Sequence, residues 1–279
     1  MTSEKPAKEQ DATVYENPLG GGNPHLDGPR SRQLMIAEAV IKGGTTSVER
    51  LAELTDVSLM TIYRDIAILE ERGILQRHRG QVVAVASGLH EADAEFRLEQ
   101  SSAAKRAVAS AAVSLIPAGS SLMLDDSTSG VWLLRALGDQ ASITVVTNSL
   151  LVASEVAQSH SNKLVVTGGE YQPWSRALMG NAATGFIRSL HADFCVISTS
   201  GISRFSCFHP YQENAEIKRA MLDSAENKIL LVDHTKFTRR ALYEFATLQE
   251  FTHVVIDAHT PEKIIATLEK EKVNILVAR

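Results

Sequence analysis

A five-residue run, Asp125-Asp126-Ser127-Thr128-Ser129, sets two carboxylates and three hydroxyls between an apolar stretch ending at Leu124 and a segment able to form a helix. Where a parallel strand runs into a helix N-terminus, the free first-turn amides and the helix dipole favour an anion. Hydroxyls beside them complete a cradle for the oxygens of a phosphate. Thr147-Asn148-Ser149 follows the next apolar stretch, Gly168-Gly169 the one beyond, and Lys236, after a later strand end, supplies a cation. A lone Ser-Thr-Ser is an ordinary helix cap, but with these companions the run reads as a phosphate-binding sheet edge. A carboxylate beside a dianion would repel it, so Asp126 is expected to face sugar hydroxyls or solvent.

Residues 203–212 are rich in side chains that read hydroxyl groups. Arg204, His209, Tyr211 and Gln212 form a candidate specificity loop, unless Phe205, Phe208 and Tyr211 merely anchor it. Cys207 and His209 have the spacing of a metal pair, yet no other ligand cluster accompanies them, so neither a metal nor a cofactor is expected. Lys218 and Glu216 lie a helical turn from that loop and read as ligand contacts or as an exposed salt bridge. Sugar isomerisation would need a carboxylate poised to move a proton between adjacent carbons. Asp125, Asp126, Glu170 and Asp233 qualify by type, and nothing in the sequence selects among them.

A second constellation lies nearer the N-terminus. Ser58, Thr61, Tyr63 and Arg64 fall on the polar side of a segment whose apolar residues Ile62, Ile66 and Leu69 recur at i, i+4 and i+7. Ser58 stands where an N-cap accepts from the first-turn amides. In a DNA major groove such side chains meet base edges and phosphates, while Arg77, His78 and Arg79 would reach backbone phosphates from a following hairpin. A module of this kind can also bind protein, and its charge is near balance, Glu70 and Glu71 offsetting Arg72. The order of elements, not the charge, carries the DNA reading.

The elements that must position these groups are legible in the spacing. Helices are expected at 34–41, 48–54 and 60–69, the last two joined by the turn Thr55-Asp56-Val57 with Val57 as an apolar plug. Gly73 ends the third, and residues 74–85 alternate about Arg79-Gly80 as a β-hairpin, giving a winged helix-turn-helix over 29–85. Residues 1–28, with Pro6, Pro18, Pro24 and Gly20-Gly21-Gly22, are expected to be a disordered tail. Residues 86–102 are expected to be a linker, with Phe96 and Arg97 as its docking residues. From 103 to 279, short apolar runs at 122–124, 143–146, 164–166, 194–197, 229–232, 253–256 and 274–277 alternate with potential helices, the pattern of a doubly wound α/β domain with a parallel sheet.

Composition narrows the function. A net charge of −5 confines any nucleic-acid contact to a local patch on an acidic body. Two cysteines make no disulfide framework and fit a reducing compartment. No apolar run reaches the ~18 residues of a membrane span, and a cytoplasmic protein is expected.

The run Val57-Ser58-Leu59-Met60-Thr61-Ile62-Tyr63-Arg64-Asp65-Ile66, with Leu69-Glu70-Glu71-Arg72-Gly73 and Arg77-His78-Arg79-Gly80, closely resembles the DNA-binding domain of the DeoR family of bacterial sugar-metabolism regulators. The resemblance continues through Lys105, 124–129, 146–150, 168–170, Gly180, Gly201-Ile202, Glu216 with 218–221, and Asp233-His234-Thr235-Lys236-Phe237. This chain departs from the family at Tyr63, where a second arginine is usual, and at Ser127, where a glycine is usual. The resemblance implies an effector domain similar in fold to sugar-phosphate isomerases, binding a phosphorylated sugar with Gly201 and Lys218 among its site residues. A homo-oligomeric repressor would then grip double-stranded operator DNA and release it when the effector binds. The alternatives are an active isomerase fused to a DNA-binding domain, and an activator or architectural protein without an effector.

Overall fold

The computed structural model describes residues 28–85, 91–138 and 142–279, with Lys42 described by its backbone alone. Apart from Gly28, the expected tail lies outside the described residues, as does the first part of the expected linker.

Three helices open the described chain: α1 (Pro29–Gly43), α2 (Val48–Thr55) and α3 (Leu59–Glu71). Each starts where its residues dictate. Pro29 occupies the first turn of α1, whose missing N–H costs nothing there. Ser47 caps α2 by accepting the Arg50 N–H at 3.2 Å, and Ser58 caps α3 by accepting the Thr61 N–H at 3.3 Å. Asp56 adopts a left-handed conformation, φ 51°, that closes α2 and turns the chain into α3. Ile36, Val40, Val48, Leu51, Ile62, Ile66 and Leu69 fill the core between the helices. Within this core Asp65 of α3 is buried, accepting from Arg32 Nε at 2.6 Å and Gln33 Nε2 at 3.0 Å, both on α1.

The hairpin follows as β2 (Leu75–His78) and β3 (Gln81–Ala84), joined by Arg79 and Gly80 at φ 50° and 77°. Two successive left-handed residues suit the right-handed twist of the strands. A short strand β1 (Thr45–Ser47), which the residue pattern does not announce, pairs with β3 and completes a three-stranded wing.

Within the segment expected as a linker, residues 94–99 form a helix, α4 (Ala94–Glu99), capped by Asp93 accepting the Phe96 N–H at 3.0 Å. Phe96 is buried in the core of the N-terminal domain. Arg97, the next residue, points the other way, and Leu98 packs on the C-terminal domain, where the Trp132 indole donates to its carbonyl at 3.2 Å. Arg72 at the end of α3 pairs with Asp93 at 3.0 Å, not with Glu70.

The C-terminal domain is built on seven parallel strands: β4 (Ser121–Leu124), β5 (Thr144–Thr147), β6 (Lys163–Val166), β9 (Ala192–Ile197), β12 (Ala225–Val232), β14 (His253–Asp257) and β15 (Ile275–Ala278). Their order is β15-β14-β12-β9-β4-β5-β6, and every neighbouring pair is parallel. Helices α5 (Ser102–Ala112), α6 (Thr128–Leu137) and α7 (Leu150–Val156) enclose one core with Leu122, Leu124, Val145 and Leu231. Helices α8 (Asn181–Arg188), α9 (Gln212–Asp223) and α10 (Glu262–Lys270) enclose the other with Met123, Ile197, Leu230 and Val254. Burial on both faces is why the central strands read as unbroken apolar runs, whereas the edge strand β6 keeps its apolar residues although Leu164 and Val166 are exposed. Two smaller sheets decorate this frame: β7 (Glu170–Gln172) with β8 (Ala177–Met179), and β10 (Gly201–Ser203) with β11 (Ser206–His209) and β13 (Tyr243–Thr247).

The chain runs outward from β4 to β6, then returns to start again at β9 on the other side of β4. The crevice beyond the carboxyl ends of β4 and β9 is thus a topological switch point, where open α/β sheets bind ligands.

Candidate functional site

A pocket occupies that switch point. Its floor comes from 126–129 after β4 and from Ser198, Thr199 and Ser200 after β9, and its walls from α4, α5, α9 and the turn after β12. Ser127 is the N-cap residue of α6, yet its hydroxyl makes no cap hydrogen bond and has no partner although buried. One terminal nitrogen of Arg97 and one oxygen of Asp126 are likewise buried without hydrogen-bond partners. Buried polar groups normally carry a partner; here three without one converge on a single pocket.

Five cationic side chains, Arg97, Lys105, Lys218, Lys236 and Arg239, face two carboxylates, Glu91 and Asp126, around it. Lys218 and Asp125 form a close buried ion pair, and Lys218 also donates to the Ser198 carbonyl at 3.1 Å. Burial alone would depress the Lys218 ammonium, but Asp125, helped by Asp126, holds it above the ordinary lysine range. Asp125 also accepts the Ser127 N–H at 3.0 Å, which fixes the strand-to-helix turn. Lys105 of α5 donates to the Thr128 hydroxyl at 3.0 Å and to the Arg97 carbonyl. Burial, reinforced by nearby Lys236, pushes its ammonium down to about 7. His209 is pushed down to about 3 by burial and by Lys218, so the pocket holds a neutral imidazole at neutral pH.

Glu91 stands 3.8 Å from Arg97 and 4.0 Å from Arg239, within ion-pair range but beyond hydrogen-bonding distance. Despite the cost of burial, the two arginines hold its carboxyl well below the usual carboxylate range. Asp126 accepts from Asn214 at 3.0 Å and lies 3.7 Å from Arg97, its other oxygen turned free within the pocket. The open space is about 30 Å³, room for one or two waters.

Of the residues singled out from the sequence, Asp126, Ser127, Thr128, Ser129, His209, Lys218 and Lys236 line this pocket, with Asp125 directly behind. Thr147, Asn148 and Ser149 do not. They are buried at the start of α7, where Thr147 accepts the Ser149 N–H, Ser149 caps the helix and Asn148 binds the Leu178 carbonyl of β8. Gly168 and Gly169 shape the entry to β7; a Cβ on Gly169 would stand 2.5 Å from the Met179 carbonyl oxygen. Gly201 acts on the pocket indirectly: a Cβ there would stand 2.4 Å from the carbonyl oxygen of Arg239, whose side chain lines the site. The expected specificity loop is a hairpin, with Arg204 exposed at its tip beside Phe205, both at positive φ, and only His209 delivered to the pocket. Glu216 accepts from Gln212 at 2.8 Å, so the Lys218–Glu216 salt bridge gives way to the buried pair with Asp125. Glu170 is exposed on β7, Asp125 is locked by Lys218, and Asp233 is engaged by Thr235 and Lys236.

Sequence reasoning missed Glu91, Ser198, Thr199, Ser200 and Arg239. Glu91 and Arg239 lie in stretches without periodicity, and their pairing joins residues 148 positions apart.

On the other domain, Ser58, Tyr63 and Arg64 are exposed and Thr61 is half-buried on α3 and its cap, and His78 and Arg79 are exposed at the wing tip. Arg77 is committed: it donates to Glu70 through its backbone N–H at 2.7 Å and its side chain at 2.8 Å, and its guanidinium sits 5.8 Å from the Tyr63 ring centre. Tyr63, where the family has arginine, thus forms a unit with Arg77 and Glu70. Met60, 75% exposed at the start of α3, also belongs to this face and was overlooked because an apolar residue there reads as core.

Fold and site define a class: a winged-helix DNA-binding protein joined to an α/β domain with a buried, cation-rich pocket. The DeoR-like helix-turn-helix domain model matches residues 32–87 and the DeoR C-terminal sensor domain model residues 100–258, so the chain belongs to the DeoR family of transcriptional regulators. It is 30% identical to the glycerol-3-phosphate regulon repressor of Haemophilus influenzae over 88% of this chain and 96% of that one. It is also 30% identical to the HTH-type transcriptional regulator YgbI of Escherichia coli over 90% and 98%. Among solved structures, ribose 5-phosphate isomerase A of Methanocaldococcus jannaschii overlays part of it, with 15% identity, a TM-score of 0.36, and 48% and 53% of the two chains covered. No helix among the described residues is long and apolar enough to cross a membrane.

Proposed function

We propose that this regulator represses a carbohydrate catabolic operon and leaves its operator when a phosphorylated sugar or sugar derivative fills the switch-point pocket. The observation that carries the reading is the convergence of unpartnered Arg97, Asp126 and Ser127 groups with Lys105, Lys236 and Arg239 at the N-terminus of α6. Amides and cations there suit a phosphate, while Asp126, held by Asn214, and neutral His209 suit sugar hydroxyls. The name of the Haemophilus relative, a glycerol-3-phosphate regulon repressor, agrees with a small phosphorylated polyol as the ligand type. Of the carboxylates a proton-transfer reaction would use, Asp125 is locked by Lys218, and Glu170 and Asp233 are not among the residues lining the pocket; Asp126 keeps one oxygen free there, which this reading assigns to a ligand hydroxyl in a pocket that senses rather than converts.

The coupling runs through residues 91–97. Glu91 occupies the anion site between Arg97 and Arg239, standing in for the phosphate, and Phe96 is seated in the core of the DNA-binding domain. A phosphate that takes the place between Arg97 and Arg239 does so by displacing Glu91 and shifting α4. The ligand therefore favours the rearranged state, and by reciprocity DNA disfavours the ligand. DNA contacts come from Ser58, Thr61, Tyr63, Arg64, His78 and Arg79, and two or more chains of a homo-oligomer would span repeated half-sites in the cytoplasm. Thermal-shift screening against pentose, hexose and polyol phosphates, followed by fluorescence anisotropy on operator DNA, tests this. The expected result is a compound that raises the melting temperature and releases DNA. A panel that does neither, or a sugar phosphate turned over with loss of activity in Asp125→Ala, overturns the reading.

A further inference from the structure

The carboxyl edge of the sheet carries a second cluster beside the pocket. Asp257 ends β14, His259 follows two residues later, and His234 opens the turn His234–Phe237 after β12, the strand paired with β14. Asp257 is only 1% exposed, and its Oδ2 lies 2.9 Å from His234 Nδ1 and 3.2 Å from His259 Nδ1. Its Oδ1 accepts the His234 backbone N–H at 2.6 Å, which fixes the carboxylate in place. The imidazole rings stand 5.5 Å apart, centre to centre.

A buried carboxylate is costly without a cation. Among the described residues, the buried aspartates 65, 125, 126 and 233 each lie within ion-pair range of an arginine or lysine. The charge partners found for Asp257 are imidazoles. The two carboxylate-to-imidazole separations are close to those of a first coordination sphere, where ligands about 2.1 Å from an ion stand about 3.0–3.4 Å apart, and all three ligand atoms lie within 4.8 Å of one another. Nitrogen donors select against the hard cations Mg²⁺ and Ca²⁺ and for Zn²⁺ and its neighbours.

We propose that His234, Asp257 and His259 bind a divalent transition-metal ion of the Zn²⁺ class, with coordination positions left open to water. His234 and His259 are 39% and 79% exposed, so the ion arrives from solvent. Once bound, it straps the turn that carries Lys236 into the pocket to the end of the adjacent strand.

The test uses the full-length, untagged chain stripped with a chelator and titrated with Co²⁺, read by visible absorption, then with Zn²⁺ as competitor. One Co²⁺ per chain, displaced by Zn²⁺, is expected. His259→Ala and His234→Ala should each weaken Zn²⁺ binding about tenfold or more, and the double variant should lose stoichiometric binding. His259→Ala should leave the melting temperature of the metal-free chain unchanged, which separates ligand loss from unfolding. Stoichiometric binding that survives the double variant, or no Co²⁺ signal at millimolar metal in the wild type, overturns the proposal.

Discussion

Glu91→Gln tests the stand-in anion directly. Glu91 is 4% exposed and lies about 4 Å from two guanidinium groups that are 12% and 26% exposed. Each contact is worth about 4 kcal/mol in gross Coulomb terms at an effective dielectric of about 20. Desolvation cancels most of that, and removing one partner of a buried pair typically costs about 3–5 kcal/mol. The loose geometry places Glu91 at the lower end, about 3 kcal/mol. At about 2–4 °C per kcal/mol for a domain of this size, the ligand-free melting temperature should fall by about 6–12 °C. The same substitution removes the competitor for the anion site. If half or more of that energy is recovered by an incoming phosphate, affinity rises about 10- to 100-fold. Scanning fluorimetry with inorganic phosphate and a phosphorylated-sugar panel, backed by calorimetry, reads both effects in one variant. A less stable protein whose ligand affinity is unchanged or weaker would refute the reasoning, because the pocket would then need Glu91 rather than yield it.

Arg64→Ala should lower operator affinity by about 1–3 kcal/mol, or reduce the salt slope by about one if the contact is to phosphate, with the melting temperature unchanged; anisotropy titrations at several salt concentrations distinguish these. Lys105, at about 7, should make effector binding pH-dependent. An anion favours the ammonium form, so affinity is full below pH 7 and falls as pH rises through it, by up to about tenfold per pH unit, and Lys105→Met should be weaker and flat over the same range by calorimetry. Without ligand the sign reverses: between pH 7 and the ordinary lysine range the unfolded chain binds the extra proton, so this residue raises stability as pH increases. Asp65→Ala should destabilise the N-terminal domain by about 3–5 kcal/mol by stranding Arg32 and Gln33, seen as an early transition in denaturant; a single unshifted transition would show that the network contributes nothing.

All seven parallel strands were legible as short apolar runs, the central ones because burial on both faces writes a strand that way, and the exposed edge strand β6 through its β-branched and aliphatic residues alone. The recognition helix was legible for the opposite reason, since one buried stripe at 3.6-residue spacing and one serine cap define it. The lining of the switch-point pocket was half legible. Ser127 and Thr128 sit at a strand-to-helix junction that local sequence announces, but the polar run 147–149 looks the same and lies outside the pocket, bonding to α7 and β8 with only the Asn148 Oδ1 left without a partner. What separates the two is which strand lies at the switch point, a property of strand order that no local pattern encodes. Tyr211 and Gln212 failed to join the pocket for a similar reason: the hairpin β10–β11 fixes the direction of His209 alone. The cluster at His234, Asp257 and His259 escaped notice because its ligands come from two strands that are neighbours only in the folded sheet.

Phe96 and Arg97 are consecutive residues that belong to different domains, one seated in the DNA-binding core and the other in the sensor pocket. The residues suited to reading a sugar's hydroxyls, Asp126 and His209, and Asn214, which positions Asp126, lie on other segments altogether. On the proposed reading, hydroxyl recognition and transmission are written on separate parts of the chain, and the pocket could be retuned to a different polyol without redesigning the lever. A family that assigns many sugars to many operons needs that separability, and a sensor engineered on this scaffold should keep 91–97 intact while its hydroxyl-reading positions are varied.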